Sequence, residues 1–141
     1  MSDAPTASGA ERLALVVGRL NRRMQAATGG LSHGLLSALA MIARHGPLRL
    51  SDLAQLESVS APTMTRTVAE LESRRLVERS ADPEDGRAVL VAITDDGTDA
   101  ILAARATRAA VVSELLERLA PAELAAISGA LPALEHLTDV R

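Results

Sequence analysis

The chain has 141 residues, a formal net charge of −3, and neither cysteine nor any aromatic side chain. Without cysteine there is no disulfide, thiolate metal site or cysteine-based redox sensor. No apolar run nears the ~20 residues of a membrane span, and the first ten residues lack the basic and hydrophobic parts of a secretory leader, so a cytoplasmic protein without membrane association is expected.

Residues 1–10 read as a small-residue tail expected to be mobile, which leaves 11–141 as a single domain whose core must be built from Leu, Val, Ile, Met and Ala. Over 11–27, Leu13, Val16, Val17, Leu20 and Met24 fall at helical spacing, and Gly29-Gly30 ends that helix. Ser32 can cap a second helix carrying Leu35, Leu36, Leu39 and Ile42, which stops at His45-Gly46-Pro47. Leu48 and Leu50 then flank Arg49 in a short extended piece.

The stretch from 47 to 94 carries the most specific pattern. Ser51 is placed to cap a short helix with Asp52 in its first turn and Leu53, Ala54 and Leu56 on its buried side. Ser58-Val59-Ser60 breaks the period, and Ser60 can cap a longer helix that has Pro62 in its first turn, where proline forfeits no helical hydrogen bond. On that helix Ala61, Met64, Val68 and Leu71 form one stripe, with Pro62, Arg66, Ala69 and Ser73 about half a turn away and Thr63, Thr65 and Glu70 flanking them. An apolar back with small, hydroxylated residues and one arginine in front suits a major groove ~12 Å wide. The period then changes to alternation: 76–80 and 88–93 read as strands joined by Ala81-Asp82-Pro83-Glu84-Asp85-Gly86-Arg87, a turn-rich hairpin that projects Arg87.

Beyond it Thr94 caps a helix with Asp95, Asp96 and Asp99 near its start, expected to run to Leu119 and so to be close to 40 Å long at ~1.5 Å per residue. Pro121 opens a last helix with Leu124, Ile127, Leu131, Leu134 and Leu137 as its apolar side, and Pro132 predicts a kink there. This small core cannot cover such helices alone.

The succession Leu-Ser-Asp-Leu-Ala, Ser-Ala-Pro-Thr-Met-Thr-Arg-Thr-Val-Ala-Glu-Leu-Glu, Leu-Val-Glu-Arg, Asp-Pro-Glu-Asp-Gly-Arg-Ala and Ile-Thr-Asp-Asp-Gly resembles the MarR family of bacterial winged-helix transcription regulators, over most of the chain. The resemblance implies a mainly α fold with a small β-wing: a winged helix-turn-helix lobe at about 47–94, in which the Arg49 segment adds a third strand, and dimerisation helices at about 11–27 and 95–138. It implies a homodimer whose recognition helices face successive major grooves of double-stranded DNA, about 34 Å apart, over a pseudo-palindromic operator. Ser60, Pro62, Thr63, Thr65 and Arg66 match the recognition surface, and Arg87 matches the wing arginine that reaches into the minor groove, with Asp85 holding its guanidinium. Arg74 and Arg75 are phosphate-contact candidates that a helix C-terminus would favour without DNA as well; Arg49 and Arg79 have a lesser claim. An alternative for Arg66 is a surface pair with Glu70. The expected output is repression by promoter occupancy.

Two features pull against a simple reading. Residues 44–94 hold seven arginines against eight acids, so DNA binding requires the arginines to gather on one surface. That balance also fits an alternative, a winged-helix interaction module without specific readout. The small-molecule effector that the resemblance implies would meet no aromatic side chain; Leu, Met and Val would line its pocket, with Arg23, His33 or Arg44 as polar contacts. Catalysis is not expected and no cofactor or metal is called for, since His33, His45 and His136 are scattered and neither a phosphate loop nor a nucleophile elbow occurs.

Overall fold

Three hydroxyl caps set the helix starts. In the computed structural model, which describes residues 7–139, Ser32, Ser60 and Thr94 lie in extended backbone and accept hydrogen bonds from the N–H groups of Leu35, Thr63 and Gly97 at 3.3, 3.3 and 3.0 Å. Each satisfies a donor that the first helical turn leaves free. The element order is α1 (Ala7–Ala27), α2 (His33–His45), β1 (Leu48–Arg49), α3 (Leu50–Leu56), α4 (Ala61–Ser73), β2 (Val77–Ala81), β3 (Val89–Ile93), α5 (Asp95–Leu116) and α6 (Pro121–Asp139). Helix α1 thus takes in part of the expected tail, whose first six residues lie outside the described ones.

The core forms where α2, α3, α4 and the sheet meet. Leu39, Ile42, Leu53, Val68, Leu71 and Val91 are fully buried, with Leu35, Met64, Leu76 and Val77 around them and Ile101 closing one side from α5. The helical stripes produce this directly, because residues three and four apart share a face. The sheet is antiparallel in the order β1-β3-β2, with Leu48 opposite Val91 and Arg49 opposite Leu90. The third strand is therefore present.

Several boundaries differ from the sequence expectation. Ser51 does not cap α3: that helix starts at Leu50 and Arg49 occupies its cap position without a side-chain hydrogen bond, because the chain passes straight from its pairing with β3 into the helix. Leu56 ends α3 at the rim of the core, 47% exposed, and Ala61 at the start of α4 is exposed too. Helix α5 stops at Leu116 rather than Leu119, with Glu117 as its C-cap. Helix α6 runs through Pro132 to Asp139.

The joint between α4 and α5 is tight. Helix α4 ends in a Schellman arrangement: the N–H of Leu76 donates to the carbonyl of Leu71 and that of Arg75 to the carbonyl of Glu72, at 3.0 and 2.9 Å. Thr94 then donates its hydroxyl to the Arg75 carbonyl at 2.7 Å, and its N–H to the Leu76 carbonyl at 3.1 Å. Gly97 lies so close to this turn that a Cβ would run into the Leu76 carbonyl and the Ile93 side chain.

Candidate nucleic-acid interface

The fold decides which arginines are free. Arg74 pairs with Glu70 at 2.6 Å and also donates to the Gly30 carbonyl at 3.4 Å; Arg79 pairs with Glu72 at 3.1 Å; Arg49 pairs with Asp82 at 2.6 Å. Arg66 and Arg87, by contrast, are exposed and make neither an ion pair nor a side-chain hydrogen bond among the described residues. Glu70, the alternative partner of Arg66, is taken by Arg74. These pairs engage three arginines and three acids of the lobe and leave Arg66 and Arg87 uncommitted.

The front of α4 is set up by backbone chemistry. Pro62, Thr63, Thr65 and Arg66 are all exposed, while Met64, Val68 and Leu71 anchor the opposite side. Thr65 donates its hydroxyl to the Ala61 carbonyl at 2.9 Å, so outward it presents a methyl and an acceptor oxygen. Ser60, already accepting from the Thr63 N–H, donates to the Thr63 hydroxyl oxygen at 2.9 Å. That leaves the Thr63 proton for an outside acceptor such as a phosphate oxygen.

Arg75 holds a position where glycine is favoured, with φ of 60° after the last turn of α4. Its guanidinium is exposed and makes no ion pair among the described residues. In the wing, Asp85 accepts from the Arg87 backbone N–H at 3.1 Å, and its carbonyl accepts from Ala88 at 2.9 Å. The expected Asp85–guanidinium contact is therefore replaced by a backbone one, because the tight turn brings the Arg87 amide to the carboxylate and sends its side chain outward. Sequence reasoning gave Asp82 no role, yet it is buried at the wing base, where the Glu84 N–H and the Arg49 guanidinium hold its carboxyl below the usual carboxylate range. The partner lies 33 residues away. Only the strand register could have revealed it.

A second feature lies between α2 and α5. Leu36, Ala40, Ile101 and Ala104 floor a cleft of about 180 Å³, and His33, Arg105 and Arg108 stand at its edge. A neighbouring hollow shares Arg105 and adds Met41 and Arg44. Arg108 donates to the Asn21 side-chain oxygen at 2.9 Å, but its Nε is buried without a partner. Of the three polar contacts expected from sequence, His33 and Arg44 line these hollows and Arg23 does not.

Comparison with known proteins agrees with this architecture. A profile of the MarR family matches residues 31–89. An uncharacterized HTH-type transcriptional regulator of Mycobacterium bovis is 36% identical over 140 residues, covering 98% of this chain and 96% of its own. A putative transcriptional regulator of Pseudomonas aeruginosa superposes with a TM-score of 0.79 at 26% identity, covering 94% of each chain. A mutant MarR from E. coli, solved in complex with operator DNA, superposes with a TM-score of 0.64 at 23% identity over 89% of this chain and 91% of that one. The extended strand at Arg49, the capped recognition helix and the hairpin with Arg87 at its tip are thus the parts of a winged helix, and the chain belongs to the MarR family of DNA-binding transcriptional regulators.

Proposed function

We propose that the protein is a homodimeric repressor that reads a pseudo-palindromic operator through Arg66 in the major groove and Arg87 in the minor groove. The observation that carries this reading is the pairing pattern: Arg49, Arg74 and Arg79 are held by acids of the lobe, whereas Arg66 and Arg87 are exposed and uncommitted among the described residues. An uncommitted guanidinium can pair bidentately with guanine, and a narrow minor groove concentrates negative potential on a wing arginine. Thr63 and Arg75 add phosphate contacts that fix orientation, and Thr65 and Pro62 present the small surface that lets the helix approach base edges. The E. coli relative solved on operator DNA supports double-stranded DNA as the partner.

The dimer rests on unpaid apolar exposure. On α1, Leu13, Leu15, Val16, Val17 and Leu20 are exposed; on α6, no residue is buried at all, with Leu124, Ile127, Leu131, Leu134 and Leu137 open along one chain segment. Rows of this size mark an interface, and a second copy with the same rows is its simplest complement. Twofold symmetry then sets two recognition helices on successive major grooves. Occupying such a site within a promoter excludes polymerase. In the α2–α5 cleft, the cationic edge and the unpartnered Arg108 Nε support an anionic effector with an apolar body, whose binding would release DNA if it favours a different spacing of the lobes.

Selection of bound duplexes from a random pool at near-physiological salt tests the reading. Enrichment of a pseudo-palindrome supports it. Binding that is steep in salt yet enriches no motif would replace it with nonspecific contact, and absence of binding at low salt would remove DNA as the partner.

A further inference from the structure

Resting on that DNA-reading function, we propose that Arg49 is a positioning residue for the wing: its ion pair with Asp82 fixes where Arg87 meets DNA, although Arg49 itself touches none. Arg49, Leu90 and Ser80 lie in one row across the sheet, and Asp82 follows two residues after Ser80 on the same strand path. Side chains two apart on a strand share a face, so Arg49 reaches from β1 over β3 to the wing base. Its Nε donates to Asp82 Oδ2 at 2.7 Å and its Nη2 lies 2.6 Å from the same oxygen.

The contact continues into the hairpin. Asp82 Oδ1 accepts from the Glu84 N–H at 2.9 Å, and the Asp82 N–H donates to the Ala88 carbonyl at 3.0 Å. The Ala88 N–H donates in turn to the Asp85 carbonyl, and the Asp85 carboxylate accepts from the Arg87 N–H. A connected set of hydrogen bonds therefore links Arg49, at the junction with α3, to the backbone of Arg87. The carboxylate is buried, with its side chain 7% exposed, whereas that of Arg49 is 40% exposed. Such a pair is less screened by salt than an exposed one, and losing one partner strands the other. Without the pair, the two-stranded end of the hairpin is held by its ladder alone, free to swing as a small ribbon does.

The test is a set of binding cycles on the duplex most enriched by the wild-type protein. Arg49→Met, Asp82→Asn and Arg87→Ala are each expected to weaken binding, the first two by roughly tenfold. Arg49→Met combined with Arg87→Ala should bind no more weakly than Arg87→Ala alone, whereas Arg49→Met combined with Arg66→Ala should show the full product of the two losses. The reversed pair, Arg49→Asp with Asp82→Arg, should regain part of the affinity. A simple loss of fold would weaken both combinations alike. Additive losses for Arg49 and Arg87 would overturn the proposal, as would unchanged or tighter binding by Asp82→Asn, the result expected if Arg49 were a direct phosphate contact. A wild-type protein that enriches no duplex would overturn the DNA-reading function and, with it, any role for Arg49 in it.

Discussion

Arg75 shows how a single residue can be held against its own conformational preference. A non-glycine side chain at φ of 60° costs about 1 kcal/mol or more relative to glycine, and a helix C-cap of this type has glycine as its usual occupant. Arg75→Gly is therefore expected to leave stability unchanged or raise it by up to about 1 kcal/mol in chemical denaturation, while weakening DNA binding across all sequences and reducing the salt slope by about one. A mutant that binds as tightly as wild type, with the same slope, would show that the guanidinium is idle. Asp82 gives a second prediction at this scale. Its folded carboxyl titrates below its unfolded value, so the ionised form contributes stability that is complete above the ordinary carboxylate range near ~4 and is lost as pH falls through the lowered value. The difference in melting temperature between wild type and Asp82→Asn should accordingly be constant at neutral pH and shrink on acidification; a pH-independent difference would mean that the charge contributes nothing.

At the scale of elements, local chemistry was legible and long-range contact was not. Ser32, Ser60 and Thr94 could be read as caps because the hydroxyl and the N–H it serves are three residues apart, and the Met64-Val68-Leu71 stripe follows from helical period alone. Ser51 had the same local credentials and lost to β1, whose pairing with β3 spans 41 residues in register between Arg49 and Leu90. The Arg49–Asp82 pair depends on that same register, and the burial of Gly97 depends on how closely α5 approaches the turn after α4. In the site, the exposure of Arg66 and Arg87 was legible, but that Arg66 stays unpaired was not: it follows from Glu70, four residues on, being drawn to Arg74. Gly97→Ala tests the α4–α5 joint. The added methyl has no room beside the Leu76 carbonyl, and the substitution should destabilise the protein by about 1–3 kcal/mol in urea or guanidinium. An unaffected midpoint would show that the joint is loose.

At the scale of the molecule, the winged lobe is well packed while the two terminal helices are not. Fully buried side chains concentrate in α2, α3, α4 and β3, whereas α6 buries none, so the lobe's fold is supported from within, and the open α6 row is what the proposed dimer would cover. Ile127→Glu, in the middle of the α6 row, is expected to shift the protein from dimer to monomer in sedimentation at micromolar concentration and to weaken operator binding at least tenfold, since one half-site alone loses the second lobe's contacts. A dimer that survives this charge would place the interface elsewhere. The lobe's nearly balanced charge fits the same proposal: with three arginines paired to acids, binding by the proposed dimer would depend on a few uncommitted guanidinium groups presented twice, rather than on a broad basic surface.

The most direct measurement repeats the duplex selection with Arg66→Ala beside the wild type. If two recognition helices each read DNA through Arg66, the mutant will lose base preference at one position in each half-site, the two positions being related by the operator's twofold axis and separated by about one helical turn, at a cost of ~1 to 3 kcal/mol per contact. An unchanged motif, or a uniform weakening without loss of preference at any base, would contradict the account.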